Sequence, residues 1–354
     1  MFRSYLTVAI RNQMRQKVYS LINVVGLAVG LSSVILIGLF ISYELSYDSY
    51  HADVERKYRV IREMRPPGKQ PWADMKVTPG LAPVLKNEYP EVESSARVVL
   101  QNLWVKSGER VFEHTVCVAD STIFDILTIP LVNADWRVVL SGRNTIVMSE
   151  SMAAKYFPDE DPIGQTLSLE DNMMGGLFTV SGVMKNLPMN SSFRFDLLTL
   201  SVPPRTALAQ VWNVFQRAAE YRASQVLLKL RDGVDHRVME ARIQSIPDRH
   251  LDPDEAAITS YYLQPLKRVR LHTESDYGIQ NRAEPQTTYG SIEQVNAYAL
   301  VAAFLLVIAC MNFVNLSTAR AGRRAREVGI RKASGAVRMQ LVRQFLSEST
   351  LLSL

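Results

Sequence analysis

The sequence contains very little cysteine and, over two long stretches, no charge. Cys117 and Cys310 are the only cysteines among 354 residues, which excludes the disulfide frameworks that hold small secreted proteins together. Hydrophobic residues make up 47% of the chain, enough to build a folded core, so disorder is excluded as the main state. The positions of the charged residues, rather than their number, therefore decide the class of protein.

Sequence patterns of the common catalytic sites are also missing. The chain has no Gly-x-x-x-x-Gly-Lys-Ser/Thr loop for nucleotide phosphates, and no Gly-x-Ser-x-Gly, His-Glu-x-x-His or Cys-x-x-Cys pattern. His114 and Cys117 fall on opposite faces of a predicted strand and do not form a metal-ligand pair. Asn190-Ser191-Ser192 matches a glycosylation pattern that is common by chance, and we assign it no role. We expect no catalytic residue, bound cofactor or metal on this chain.

Two uncharged stretches are long enough to cross a membrane. Residues 21–43 are 23 residues without charge, and residues 294–319 are 26. A helix needs about 20 apolar residues to span the hydrocarbon core of a bilayer. The alternatives are a buried core helix, which is usually shorter and has a polar face, and a cleaved signal peptide, which has a shorter apolar region and a small-x-small cleavage site. The sequence predicts two transmembrane helices.

The charges that flank these stretches predict the topology. Residues 1–20 hold four basic residues and no acid, and residues 320–354 hold eight basic residues and two acids, which leaves 28 basic and 33 acidic residues between them. Because basic flanks remain in the cytoplasm, we expect both ends to be cytoplasmic and the central segment to be exported. The net charge of +5 then reflects topology and not nucleic-acid binding. Residues 1–20 are predicted to form an amphipathic helix on anionic lipid, with a plain basic flank as the alternative.

The central segment 44–293 predicts a folded α+β domain. Strand-like runs alternate with helix signals, such as the N-cap Ser149 before a helix over 151–157. We expect two subdomains: one is made from both ends, about 54–92 and 222–264, and the other, about 93–205, is inserted into it. Residues 264–293, with few apolar positions, are predicted to be a connector to the membrane. The predicted strands are 56–62, 97–106, 111–118, 145–148, 178–183, 193–200, 225–230 and 258–263, and the other predicted helices are 80–89 and 234–246.

The most informative segment follows the second span. Residues 323–354 are RRAREVGIRKASGAVRMQLVRQFLSESTLLSL. Two Arg/Lys-rich pieces flank Gly329 and Gly335, which we expect to interrupt a continuous helix, and an amphipathic helix and a new apolar run at Leu351 follow. Residues 326–336 and 344–349 closely resemble the signature of FtsX/MacB-type ABC transporter permeases, where it links the second span to the third.

The resemblance covers nearly the whole chain. Residues 9–12, 20–23, 26–30 and 43–48 look like the first span of the long permeases of this family, and residues 147–151, 161–164 and 178–183 with Asn186 look like the MacB-type periplasmic core. The family has four spans per unit, an exported core between the first two, and a separate or fused ATPase that drives a dimer. Because the chain reaches Leu354 where a third span would begin, we expect a truncated permease or the first half of a two-unit protein.

The resemblance also implies a function. The chain would be a permease subunit, or the N-terminal part of one, in a bacterial inner or plasma membrane. It would couple ATP hydrolysis by a partner ATPase, which binds the ATP, to movements of the exported domain for export, efflux or extraction of a substrate. The other implied partners are a second permease half or a homodimer, membrane lipids and a periplasmic adaptor.

The resemblance implies that the segment after the second span contacts the ATPase. A purely basic membrane anchor would not need an acid and two glycines in this segment. The residues expected to make the contact are Arg326, Glu327, Gly329, Ile330, Arg331, Lys332, Gly335 and Ala336.

Two other functions stay open at this point. A membrane-bound sensor also has a span, an exported ligand domain, a span and a cytoplasmic helix, but it needs sustained apolar heptads after the second span, and Gly329 and Gly335 are predicted to interrupt them. A transport-independent regulator, whose exported domain activates a cell-wall hydrolase, shares every feature with the permease and differs in its partner.

Overall fold

A computed structural model describes residues 17–132, 135–142, 144–170, 175–200, 224–279 and 289–333. The chain divides into two units. One is the folded domain Glu44–Ile292, and the other consists of Met1–Tyr43 and Glu293–Leu354, which contain two long helices. Most of the predicted N-terminal amphipathic helix and the predicted boundaries at 205 and 222 lie outside the described residues.

The elements are numbered in chain order over the described residues. The helices are α1 (Lys17–Leu45), α2 (Leu81–Glu88), α3 (Ile123–Ile126), α4 (Trp136–Val139), α5 (Glu150–Tyr156), α6 (His236–Ile243), α7 (Ile246–His250), α8 (Pro253–Ala256), α9 (Val269–Tyr277) and α10 (Ile292–Ala333). The strands are β1 (Lys57–Met64), β2 (Trp72–Asp74), β3 (Val92–Ser107), β4 (Arg110–Ala119), β5 (Thr145–Ser149), β6 (Thr166–Glu170), β7 (Gly176–Met184), β8 (Leu197–Thr199), β9 (Gln225–Leu230) and β10 (Thr259–Pro265).

The helices α1 and α10 carry the two apolar stretches. Their segments Val25–Leu45 and Ile292–Asn312 are each long and apolar enough to cross a membrane. The most apolar part of α1 has no buried residue, and only 11% of that of α10 is buried. A core helix of a soluble protein would bury these side chains, so the exposure argues against that alternative. The prediction of two apolar helices that flank a mixed α/β domain is confirmed.

One half of the domain contains a four-stranded antiparallel sheet in the order β10-β1-β9-β3. The segments β1-α2-β3 and β9-α6-β10 form two β-α-β units whose strands interleave, which is the ferredoxin-like arrangement. The core of this half joins Leu85 of α2 and Ile243 of α6 to Val60, Val226 and Leu263 of the sheet. The short strand β2 pairs with the end of β1.

The other half is a six-stranded barrel in the order β3-β4-β8-β5-β7-β6. Val105 of β3 pairs with Leu169 of β6, and this pairing closes the ring. The β4–β8 and β5–β7 pairs are parallel, and the other pairs of the ring are antiparallel. The core of this half contains Val116, Met148 and Phe178. Closure leaves the strands of the ring without the exposed edges that favour aggregation.

The long strand β3 belongs to both halves. Its first part, from Val92 to Val98, pairs with β9, and its second part, from Val98 to Ser107, pairs with β4. The predicted subdomain boundary at residue 93 therefore falls inside a strand. A further core cluster, which includes Ile61, Cys117 and Leu198, joins residues of the two halves. Burial raises the pKa of the Cys117 thiol, which makes it an inert core residue.

The prediction of a connector at 264–293 is wrong. The structure has a short 3-10 turn and then α9 in this segment, and Val269 and Tyr289 are buried in the core. The core also contains Leu266 and Ile279 of the described part of this segment, so average composition concealed its packing. The polar Thr273 is also fully buried, because it binds Arg59.

Arg59 of β1 is a fully buried cation at the centre of this packing. Its Nε and Nη2 donate to Gln264 Oε1 of β10 at 3.1 and 2.6 Å, and Nη2 also donates to Thr273 Oγ1 of α9 at 2.9 Å. Its Nη1 donates to the hydroxyl of Tyr289, three residues before α10, at 2.9 Å. One guanidinium group thus bonds to β10, to α9 and to the chain that leads to α10.

Some local predictions differ from the structure. Ser149 does cap its helix, and its Oγ accepts from the Met152 N–H, as predicted. The predicted helix 234–246 is instead the two helices α6 and α7, because Pro247 lacks an N–H and is incompatible with a continuous helix. The predicted strand 193–200 shortens to β8, and β2 and β6 are additional strands.

We expect Arg59→Met to lower the free energy of unfolding by about 3–5 kcal/mol. It removes the guanidinium donor from the buried Gln264 Oε1 and Tyr289 hydroxyl, and it removes one of two donors to Thr273 Oγ1. The matched control is Arg65→Met, because the Arg65 side chain is 61% exposed and, among the described residues, pairs with Glu63 and Tyr262 at the surface. The control should change the free energy by less than about 1 kcal/mol. Urea unfolding of the detergent-solubilised protein measures both, and equal effects would contradict the role of Arg59.

Candidate functional site

The residues predicted to contact an ATPase lie at the C-terminal end of α10. Gly335 and Ala336 lie outside the described residues. The structure gives the helical backbone of the other six, which are Arg326, Glu327, Gly329, Ile330, Arg331 and Lys332.

The helix continues through Gly329, so the predicted interruption at this residue is wrong. A glycine inside a helix costs about 1 kcal/mol relative to alanine. The adjacent Val328 and Ile330 are weaker helix formers, but Ala325, Arg326, Lys332 and Ala333 are strong ones, and the helix tolerates one glycine among them. The glycine therefore cannot serve as evidence against a sensor, and the family of the chain must be decided on other grounds.

The length of α10 exceeds the thickness of a membrane. Its 42 residues extend about 63 Å, whereas the hydrocarbon core of a bilayer is about 30 Å thick. The apolar segment Ile292–Asn312 occupies the first half of the helix. Arg326 lies 14 residues after Asn312, about 21 Å farther along the helix axis. The six described contact residues thus lie on a continuous helical extension of the apolar segment.

The two apolar helices contact each other through small residues. Ala309 of α10 faces Gly30 of α1, and Asn312 faces Gly26. A Cβ atom at Gly26 would lie only 2.9 Å from Asn312 Nδ2, so any larger residue here requires the Asn312 side chain to move. Small residues allow transmembrane helices to pack closely, because no hydrophobic effect drives their association in lipid.

The last turn of α1 is fixed by an ion pair. The buried carboxylate of Glu44 accepts from Arg270 Nε at 2.9 Å and from Arg270 Nη2 at 3.0 Å. The Arg270 carbonyl accepts from the N–H of Gly290, two residues before α10, at 2.8 Å. The guanidinium also lies 4.4 Å from the centre of the Tyr47 ring. The end of α1 and the chain that enters α10 are therefore both bound to Arg270 of α9.

A second set of hydrogen bonds fixes the residues that follow α1. Asn190 Nδ2 donates to the Ser46 carbonyl at 3.2 Å and to Ser46 Oγ at 2.9 Å. The backbone carbonyl of Asn190 accepts from the Asp48 N–H at 2.9 Å. The Ser192 N–H donates to Asp48 Oδ1 at 2.8 Å, and the Tyr50 hydroxyl donates to Ser191 Oγ at 3.0 Å. The sequence carried no signal for this contact between residues about 144 positions apart.

Asp48 and His51 are buried titratable groups in this contact. Burial raises the pKa of Asp48 to about 6, although the hydrogen bonds from Ser192 favour its ionised form. Burial and, secondarily, the charge of Lys57 lower the pKa of His51 to about 3. His51 Nδ1 accepts from the Thr128 N–H at 3.1 Å, so the neutral ring carries its proton on Nε2.

Two family models account for most of the chain. Residues 20–246 match the MacB-like periplasmic core domain, and residues 299–354 match the FtsX-like permease C-terminal domain. The chain belongs to the FtsX/MacB-type ABC transporter permeases. Both matched models describe domains of this permease family.

Named relatives of this permease share limited identity with it. The macrolide export ATP-binding/permease protein MacB of Neisseria gonorrhoeae is 25% identical over 219 residues, which cover 62% of this chain and 29% of that protein. The uncharacterized ABC transporter permease YknZ of Bacillus subtilis is 23% identical over 220 residues, 61% of this chain and 46% of YknZ. The chain thus spans less than a third of the MacB relative and under half of YknZ.

A solved structure is similar to this permease in fold. A crystal structure of a permease-protein domain from Porphyromonas gingivalis superposes with a TM-score of 0.52 at 24% identity, and it covers 61% of this chain and 91% of that domain. The similarity supports the assignment of the folded domain as a member of this fold.

Two of the segments that resemble the MacB-type periplasmic core contact each other in the folded domain, through Ser151 and Asn186. The Ser151 N–H, at the start of α5, donates to Asn186 Oδ1 at 3.1 Å. Both residues line a cleft of about 540 Å³. Its lining residues are Asn102, Thr115, Ser149, Ser151, Asn186, Leu187, Met189, Arg194, Phe195 and Asp196.

We expect Gly26→Leu to destabilise the helix pair of this permease by about 1–3 kcal/mol, because the new side chain forces α1 away from Asn312. Gly38→Leu is the matched control on the same helix, since a Cβ at Gly38 meets no atom of the described residues within 4 Å. Both substitutions gain helix propensity equally, so the difference in thermal stability in detergent reports the packing alone. A control that is destabilised as much as Gly26→Leu would argue against this helix contact.

Proposed function

We propose that the chain is a permease subunit, or the N-terminal part of one, that couples ATP hydrolysis by a partner ATPase to movements of its exported domain. The movements would serve export, efflux or extraction of a substrate, with no channel through this chain. The observation that carries the proposal is the unbroken α10, which joins residues 326–333 to the edge of the folded domain at Ile292.

A continuous helix is suited to mechanical coupling. It resists bending because each turn is held by backbone hydrogen bonds, so a displacement at one end reaches the other end about 63 Å away. Gly290, just before α10, is bound to Arg270, and Arg270 is bound to Glu44 of α1. A push on α10 would therefore act on the same arginine that holds the end of α1.

The partners follow from the same proposal. The ATPase subunit would bind the ATP and contact the end of α10, and a second permease half or a second copy would complete the transporter. Anionic lipid would attract the basic residues at both cytoplasmic ends. A periplasmic adaptor is a further proposed partner of the exported domain.

The match of residues 299–354 to the FtsX-like permease domain favours the permease over a sensor. A regulator of a cell-wall hydrolase would use the same coupling with another partner on the exported side. Co-purification with an ATPase, together with identification of proteins bound by the exported domain, separates these functions.

The topology is testable with engineered cysteines. We expect a membrane-impermeant thiol reagent to label Gly68→Cys and Gly233→Cys, which lie in turns of the folded domain, in intact cells. Met14→Cys and Ala336→Cys should be labelled only after the membrane is permeabilised. Labelling of Ala336→Cys in intact cells, or protection of Gly68→Cys, would contradict cytoplasmic ends.

The coupling is testable in the assembled transporter. We expect Glu327→Arg and Gly335→Trp to abolish ATPase binding or the stimulation of ATP hydrolysis. A helix docked in a cleft of a partner loses about 2 kcal/mol or more of binding free energy on charge reversal or insertion of a bulky ring. Membrane insertion and folding of the exported domain should be unchanged, because Glu327 lies about 15 residues beyond the apolar segment that ends at Asn312.

The matched control for the coupling experiment is Arg324→Glu, one turn before Glu327 and outside the proposed contact set. It reverses a charge in the same basic segment and should keep most of the ATPase stimulation. If Arg324→Glu and Glu327→Arg have equal effects, the segment acts only as a charged membrane anchor.

A further inference from the structure

The cleft in the folded domain is a polar site that the proposed coupling does not use. Its neutral lining side chains donate and accept hydrogen bonds, and they come from β3, β4, β5, α5 and the chain between β7 and β8. The apolar surface of Leu187, Met189 and Phe195 lines another part, and the Met189 side chain is 62% exposed. The neutral polar residues are Asn102, Thr115, Ser149, Ser151 and Asn186.

The charges in the cleft are balanced. Arg194 is exposed and has no ion-pair partner among the described residues. Asp196, two residues later, uses one oxygen to bind His114 Nδ1 at 3.0 Å, and its side chain is 43% exposed. One cation beside one anion disfavours strongly anionic ligands such as nucleotides and favours a ligand that carries one charge of each sign.

The chain between β7 and β8, residues 185–196, is named the strap. Its two ends line the cleft through Asn186, Arg194 and Asp196. The second end is also fixed to the barrel, because the Asp196 carbonyl accepts from the Ser149 N–H at 2.9 Å. The middle of the strap, residues 190–192, is bound to residues 46–50 after α1. A single short segment thus contacts both the cleft and the residues that leave the first span.

We propose that the cleft binds a short zwitterionic peptide and that the strap transmits its occupancy to the residues that follow α1. The peptide's carboxylate pairs with Arg194, its ammonium group with Asp196, its amides with the neutral polar residues, and an apolar side chain with Met189. This inference rests on the proposed function, since it gives that function a substrate class and a connection to α1.

The chemistry of the lining selects this ligand class. Amide and hydroxyl side chains both donate and accept, and they match the alternating N–H and C=O groups of a peptide backbone. Methionine adapts to apolar groups of different shape, so it tolerates different peptide side chains. A volume of about 540 Å³ is within the range of small-molecule sites and accommodates a tripeptide.

The binding experiment uses the full chain in detergent, without an ATPase, and the tripeptide Ala-Leu-Ala as the probe. We expect saturable binding by calorimetry with a Kd below about 1 mM. The acetylated and amidated form of the same peptide, which has no terminal charges, should bind at least tenfold more weakly. Arg194→Ala should remove this preference, and the control Arg137→Ala, on an exposed arginine outside the cleft, should not. Absence of binding, or equal binding of both peptides, would overturn the ligand assignment.

The transmission experiment measures amide hydrogen exchange of residues 46–51 with and without the peptide. We expect bound peptide to slow exchange of the Asp48 amide in the wild-type chain, because that amide donates to Asn190 of the strap. Asn190→Ala removes the side-chain bonds to Ser46 but does not line the cleft. It should bind the peptide within about twofold of wild type and transmit a smaller effect to Asp48. In the variant, the backbone carbonyl of residue 190 and the bonds of Ser191 and Ser192 still join the strap to residues 46–50.

The two kinds of failure are distinguishable. Peptide binding that leaves exchange at residues 46–51 unchanged in the wild type would overturn transmission by the strap. Loss of peptide binding with normal ATPase stimulation would overturn this inference and leave the proposed coupling intact. Normal peptide binding with no effect of Glu327→Arg on the ATPase would overturn the proposed coupling and leave the peptide site intact.

Discussion

Arg59 is a cation without solvent exposure, and the packing of the folded domain depends on how it is compensated. Moving a guanidinium out of water costs several kcal/mol unless nearly all its donors are used. Gln264, Thr273 and Tyr289 supply the acceptors, and they come from three different elements of the C-terminal part of the domain. The sheet, α9 and the chain that leads to α10 are therefore assembled together. The buried apolar side chains of Leu266, Val269, Ile279 and Tyr289 add to this constraint.

The same C-terminal segment supplies Arg270, which binds Glu44 at the end of α1. A buried, bidentate ion pair is a strong contact only when its partners are held in position, and Gly290 holds the Arg270 backbone. The strap contributes a second, independent contact to residues 46–50. The chain that leaves the first span is thus bound to both halves of the domain, so a relative movement of the halves and a movement of this chain are linked.

The sequence predicted the features that depend on local pattern. The two apolar helices follow from runs of uncharged residues, and the Ser149 cap and most strands follow from periodicity and turn chemistry. It did not predict the packing of α9, because that packing depends on the partners of the buried Arg59. One of these partners, Gln264, is 205 residues away from Arg59 in the sequence. It also gave no signal for the contact of Asn190 with Ser46, where both residues are small, polar and common in loops. The helix through Gly329 was missed because its neighbours outweigh the glycine.

The buried side chains of Asp48 and His51 contribute to the stability of the folded domain with opposite dependences on pH. The pKa of Asp48 is raised from 3.8 to about 6, so its contribution to stability decreases as pH rises from about 4 to about 6. The pKa of His51 is lowered from 6.5 to about 3, so its contribution decreases as pH falls from about 6.5 to about 3. Each slope is at most about 1.4 kcal/mol per pH unit, and the two have opposite signs between about pH 4 and 6. Because the two slopes oppose each other, the combined contribution of the two groups to stability changes less between about pH 4 and 6 than the contribution of either group alone.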